Sequence, residues 1–72
     1  MKVRQFSKVY QDGEEETMWI GKNVGGDVTV IKIDYHQPAG EGDAHYVDTH
    51  FSNGQLRRVF RPDCIDFESE VK

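Results

Sequence analysis

From Val28 to His36 the chain alternates: Thr29, Ile31, Ile33 and Tyr35 fall on one face of an extended strand, and Lys32, Asp34 and His36 fall on the other. Residues 44–51 repeat the pattern, with Val47 and Phe51 sharing a face with His45 and Thr49 and leaving Tyr46, Asp48 and His50 opposite. In residues 55–61, Leu56 and Phe60 share a face with Arg58, and near the end Ile65 and Phe67 alternate with Asp66 and Glu68. Residues 3–10 and 16–22 carry weaker strand patterns joined by an acidic turn. No segment holds apolar residues at helical spacing over three turns, so the pattern predicts an all-β chain.

Turn chemistry sets the pairings. Asp12-Gly13, Gly25-Gly26, residues 37–42, Asn53-Gly54 and Pro62-Asp63 separate the strands. Asn-Gly between two alternating runs predicts a two-residue type I′ hairpin, which sets Phe51 opposite Leu56 and Val47 opposite Phe60. A second hairpin across residues 37–42 places Ile33 opposite Val47, Tyr35 beside His45, Ile31 beside Thr49, and Lys32 beside Asp48 as a cross-strand charge pair. The expected core is Ile31, Ile33, Val47, Phe51, Leu56 and Phe60, covered by the N-terminal strands and the Ile65/Phe67 segment. The predicted architecture is a small, strongly bent antiparallel barrel of five or six strands, with residues 1–72 forming a single domain.

The stretch GGDVTVIKIDY, a Gly-rich loop, AHYVDTHFSNGQLRRVF and then RPDCIDFE resembles the SH3-like barrels, Tudor-type modules included. The resemblance spans about residues 16–68 and is one of strand lengths and turns. It implies two central strands, a tight Gly turn, a further strand, and a short 3₁₀ turn at Pro62 leading into the last strand. It implies a binding role and transfers no site, although Trp19 and Tyr46 are the exposed aromatic candidates.

Length and composition narrow the function classes. A chain of 72 residues, with 36% hydrophobic and 31% charged residues, is too short for a deep multilayered active site and too apolar for a disordered tail. No run approaches the roughly 18 apolar residues of a membrane span, and the basic N-terminus lacks the apolar stretch of a secretory signal. Starting at Met1 with one cysteine, Cys64, the chain reads as a complete cytoplasmic protein with no disulfide.

His36, His45 and His50 lie in sequence near Asp34, Asp43 and Asp48, a donor set that suits a divalent metal. In the inferred register His36 and His50 stand at opposite ends of the hairpin, roughly 20 Å apart, and His45 faces the other way. The reading is therefore surface imidazoles, with His45 packed against Tyr35, and no metal or cofactor. Cys64 lacks an oxyanion loop or nucleophile elbow, so no enzyme is expected.

Three function classes follow. The leading one is a non-catalytic protein-interaction module, an adaptor or inhibitor of a larger protein. It is expected to be a monomer or weak dimer and to bind through the outer sheet face of Lys32, Tyr46, Asp48, His50, Arg57 and Arg61. The second is a nucleic-acid-binding barrel that uses the Arg57, Arg58 and Arg61 strand beside Tyr46. The third is an acidic surface of Asp12, Glu14, Glu15 and Glu16, joined by Asp63, Asp66, Glu68 and Glu70, occupying a basic nucleic-acid-binding groove on a partner; this suits the net charge of -4.

Overall fold

Two of the hairpins in this protein close with the same turn. In the computed structural model, which describes residues 2–38, 40, 42 and 44–68, β1 (Val3–Val9) runs into β2 (Glu15–Trp19) around Asp12-Gly13. Gly13 N donates to Tyr10 O at 2.9 Å, Tyr10 N to Glu14 O at 2.8 Å, and Glu14 N to Asp12 Oδ1 at 3.0 Å. Between β5 (Tyr46–Phe51) and β6 (Leu56–Phe60) the pattern recurs. There Gly54 N donates to Phe51 O, Phe51 N to Gln55 O, and Gln55 N to Asn53 Oδ1. Gly13 and Gly54 sit at φ of 87° and 89°, the left-handed position that closes a three-residue loop with a bulge.

The remaining strands are β3 (Asn23–Gly25), β4 (Val28–His36) and β7 (Cys64–Phe67). They form two antiparallel sheets, in the orders β2-β1-β7 and β3-β4-β5-β6. An isolated bridge between Lys2 and Asp34 joins the sheets at one corner, and one sheet curls strongly into a half-barrel. The all-β expectation holds. Among the described residues the strand number rises to seven because the short segment Asn23–Gly25 pairs with the start of β4.

The core lies between the sheets. Val3 and Phe6 of β1, Met18 of β2, Val30 and Ile33 of β4, Val47 of β5 and Val59 of β6 are buried, with Tyr35, Phe51 and Ile65 packed against them. In β1 and β4 the buried residues are three apart, which no regular strand allows. A bulge explains each case: one lies between Val3 and Gln5, the other between Val30 and Lys32. Each extra residue passes the inward position from one parity to the other. Ile31, at the second bulge, is turned out and left 56% exposed.

The expected register is corrected in two places. The loop at Asn53-Gly54 has three residues, so β6 is shifted by one: Val47 stands opposite Val59 and Tyr46 opposite Phe60. A one-residue shift exchanges the faces. Val59 therefore enters the core, while Leu56 and Phe60 lie on the outside with half their surface exposed. Between β4 and β5 the shift is two residues, setting Ile33 opposite Thr49 and Tyr35 opposite Val47, which preserves the faces. The Tyr35 and His45 rings remain neighbours at 5.9 Å, as expected.

The passage from β6 to β7 is a bend, not a 3₁₀ turn. Arg61 adopts φ of 52°, a strained conformation for a residue other than glycine and an unusual one before proline. It is held there from several sides. Arg61 N donates to His45 O, Lys8 Nζ donates to the Phe60 and Arg61 carbonyls, and Asp63 clamps β1 by donating to Ser7 O and accepting from Val9 N. Pro62 is buried at this corner, and the chain crosses from the outer edge of one sheet to β1 of the other.

Candidate interaction face

Because side chains alternate, the three-strand run β4-β5-β6 presents one outer face built in rows. His36, Tyr46 and Phe60 form the first row, Asp34, Asp48 and Arg58 the second, and Lys32, His50 and Leu56 the third. The first row is a ladder of rings. His36 stacks on Tyr46 with centroids 4.9 Å apart and planes at 19°, and Tyr46 meets Phe60 at 5.6 Å. The Arg58 guanidinium lies 4.0 Å from the Tyr46 centroid, in position for a cation–π contact.

The second row is electrostatic. Asp34 and Asp48 stand directly opposite each other, a like-charge pairing that costs stability unless cations intervene. Each has two neighbours that answer it. Arg58 Nε and Nη2 donate to the two oxygens of Asp48 at 2.8 and 3.2 Å, and His36 Nε2 lies 3.5 Å from the same carboxylate. Lys32 Nζ is 3.3 Å and His50 Nε2 3.5 Å from Asp34. Asp48 is buried, and the hydrogen bonds it accepts hold the Arg58 pKa above its ordinary value.

Four of the six residues assigned to this face from sequence are on it: Lys32, Tyr46, Asp48 and His50. Arg57 leaves it. With β6 shifted by one, Arg57 stands opposite Thr49 on the inner side and reaches across to β2, pairing with Glu16 and approaching the Tyr10 hydroxyl at 3.5 Å. Arg58 takes the outward place beside Tyr46. Arg61 lies beyond the strand, exposed at the bend, with no ion pair among the described residues. Phe60 and Arg58 are the face residues that the two-residue loop hid, whereas alternation along β4 already set His36 on this face; the Leu56/Phe60 and Val59 alternatives on β6 were the available signal.

The histidine geometry also changes. His36 and His50 lie four strand residues apart, roughly 13 Å and not 20 Å, and both flank the Asp34/Asp48 pair. The expected Lys32–Asp48 pair is replaced by Lys32–Asp34. Asp43 falls outside the described residues; among those described, no group of three or more His, Cys, Asp or Glu is arranged to hold a metal ion.

The acidic residues divide into separate places. Asp12 is used in the β1–β2 turn, and Glu16 accepts from Tyr10 at 3.0 Å and from Arg57. Glu14 and Glu15 are exposed at that end, where Asp63 is tied to Val9 N. Asp66 pairs with Arg4, and Glu68 N donates to Lys2 O at the other end of β1. Glu70 lies outside the described residues. Trp19 is exposed with Lys22 Nζ 4.8 Å from its ring centroid, on the sheet that does not carry Tyr46. Cys64 is an exposed free thiol, and no helix among the described residues is long and apolar enough to cross a membrane.

Fold and face together define a small two-sheet all-β protein with an exposed sheet face that mixes rings, ion pairs and aliphatic surface. Family models, curated proteins and solved structures give no match to this chain.

Proposed function

We propose that this chain is a non-catalytic protein-interaction module, an adaptor or inhibitor of a larger protein, binding through the outer face of β4-β5-β6. The observation that carries this reading is the ring ladder His36–Tyr46–Phe60 buttressed by Arg58, with Phe60 51% exposed. Preordered aromatic and arginine side chains supply large contact area at little entropic cost, which is why they dominate binding hot spots. The SH3-like description of the fold belongs to the same proposal. It is supported by the β4-β5-β6 meander, the tight Gly54 turn and the return of the last strand to β1 after Pro62. The absence of a 3₁₀ turn there is a departure from that plan. The module acts as a monomer or weak dimer, and its unpaired Cys64 suits the cytoplasm.

The nucleic-acid reading loses support because two of its three arginines are neutralised, Arg57 by Glu16 and Arg58 by Asp48. The acidic-surface reading retains only Glu14 and Glu15 as carboxylates at the β1–β2 turn without an assigned bond among the described residues. Capture from native lysate, with and without nuclease, separates the three. Loss of a nuclease-resistant partner in Tyr46→Ala and Phe60→Ala, both still folded, supports the sheet face. Loss on nuclease treatment with steep salt dependence favours nucleic acid. Loss only in Glu14→Lys with Glu15→Lys favours the acidic surface.

A further inference from the structure

The outer face ends at β6, the edge of the four-stranded sheet. Phe51 N donates to Gln55 O and Arg61 N to His45 O, so the odd-numbered residues of β6 turn their main chain toward β5. Leu56, Arg58 and Phe60 therefore turn theirs outward. Lys8 Nζ occupies the Phe60 carbonyl, while nothing among the described residues pairs the outward main-chain groups of Leu56 and Arg58. Beside this open edge Leu56 and Phe60 are half exposed, an unusual combination for an edge strand that has no partner.

The charges select the occupant. The chain carries -4 overall, yet the edge is lined by Lys8, Arg58 and Arg61, of which only Arg58 has a carboxylate partner. Asp48 takes the Nε and Nη2 donors of Arg58, leaving Nη1 with no acceptor among the described residues. A second copy of the chain fits poorly. Antiparallel self-pairing of β6 centred on residue 57 or 58 opposes that arginine to itself, and centring on 59 opposes Arg57 to Arg61.

We propose that β6 accepts an extended peptide segment of a partner protein as an added antiparallel strand, with an acidic residue opposite Arg58 flanked by apolar residues opposite Leu56 and Phe60. This rests on the sheet-face reading and names its partner's chemistry.

The test uses a short capped peptide in which threonine alternates with valine, glutamate and valine. Its controls are the lysine counterpart and a version N-methylated at the amides directed to β6. Fluorescence anisotropy should show the glutamate peptide binding and both controls weakened by at least about tenfold. Leu56→Pro removes an outward N–H that the native sheet does not use, so it should keep the fold and lose the peptide. No binding of the glutamate peptide, equal binding of the lysine or N-methylated peptide, or full binding by folded Leu56→Pro overturns the proposal. If Tyr46→Ala loses a lysate partner that Leu56→Pro keeps, strand addition falls and the sheet-face reading stands.

Discussion

Arg58 and Asp48 face each other across β5 and β6, with two guanidinium nitrogens donating to two carboxylate oxygens. The pair sits where Asp48 also confronts Asp34, so the guanidinium offsets a repulsion built into the strand pairing. Arg58→Ala strands a buried carboxylate beside a like charge, and is expected to lower the urea midpoint. Arg58→Lys, unable to bond both oxygens in a plane, should recover only part of the loss. An unchanged midpoint in Arg58→Ala would show that Asp48 needs no such partner.

The core assignment separates two phenylalanines. Phe6 is 1% exposed between the sheets, and Phe60 is half exposed on the outer face. Phe6→Ala should cost about 3–5 kcal/mol, enough to unfold much of a domain this small. Phe60→Ala should cost less than about 1.5 kcal/mol, mainly its contact with Tyr46. Chemical denaturation of the two variants side by side checks the register of β6, because the two-residue loop predicts a large loss for both.

Thr49 offers a gain in stability. It is 1% exposed, and its Oγ1 finds no hydrogen-bond partner among the described residues. Valine keeps the shape and removes the buried hydroxyl, so Thr49→Val should stabilise by about 1 kcal/mol. The signature is a higher urea midpoint with an unchanged slope. A lower midpoint would mean that the hydroxyl is satisfied in solution.

Tyr10 links stability to alkaline pH. Burial, followed by its hydrogen bond to Glu16, raises its pKa above the ordinary 10.0. The folded state therefore holds the phenolic proton more tightly than the unfolded chain. That contribution is complete below about pH 10 and is lost as pH rises through the raised folded value. Stability should fall in that window, and Tyr10→Phe should show a shallower fall. Denaturation midpoints measured across the alkaline range decide it.

Much of the fold was legible in the alternation. The strand at 28–36 stands where the pattern puts it, the one expected at 44–51 starts at Tyr46, and Ile33, Val47 and Phe51 keep their inward parity. Lys32, Tyr46, Asp48 and His50 share the outer face for the same reason: a side-chain period of two needs no knowledge of neighbours. The bulges at Val3/Gln5 and Val30/Lys32 were not legible, since an extra residue is accommodated by the partner strand and leaves no mark in composition.

The sequence alone determined that strands form, where they turn and which residues of β5 face together. Only the tertiary structure decided β6. Asn53-Gly54 suits both a two-residue and a three-residue loop, and β6 is apolar on both faces, with Leu56 and Phe60 on one and Val59 on the other. Its alternation is therefore indifferent to a one-residue shift. Packing is not: the observed shift puts Val59 in the core opposite Val47, brings Arg57 to Glu16 and Tyr10 on the facing sheet, and sets Arg58 on Asp48. The Arg57 contact joins segments 41 residues apart, and with the two contacts inside the hairpin it places the arginine and aromatic residues of the candidate face.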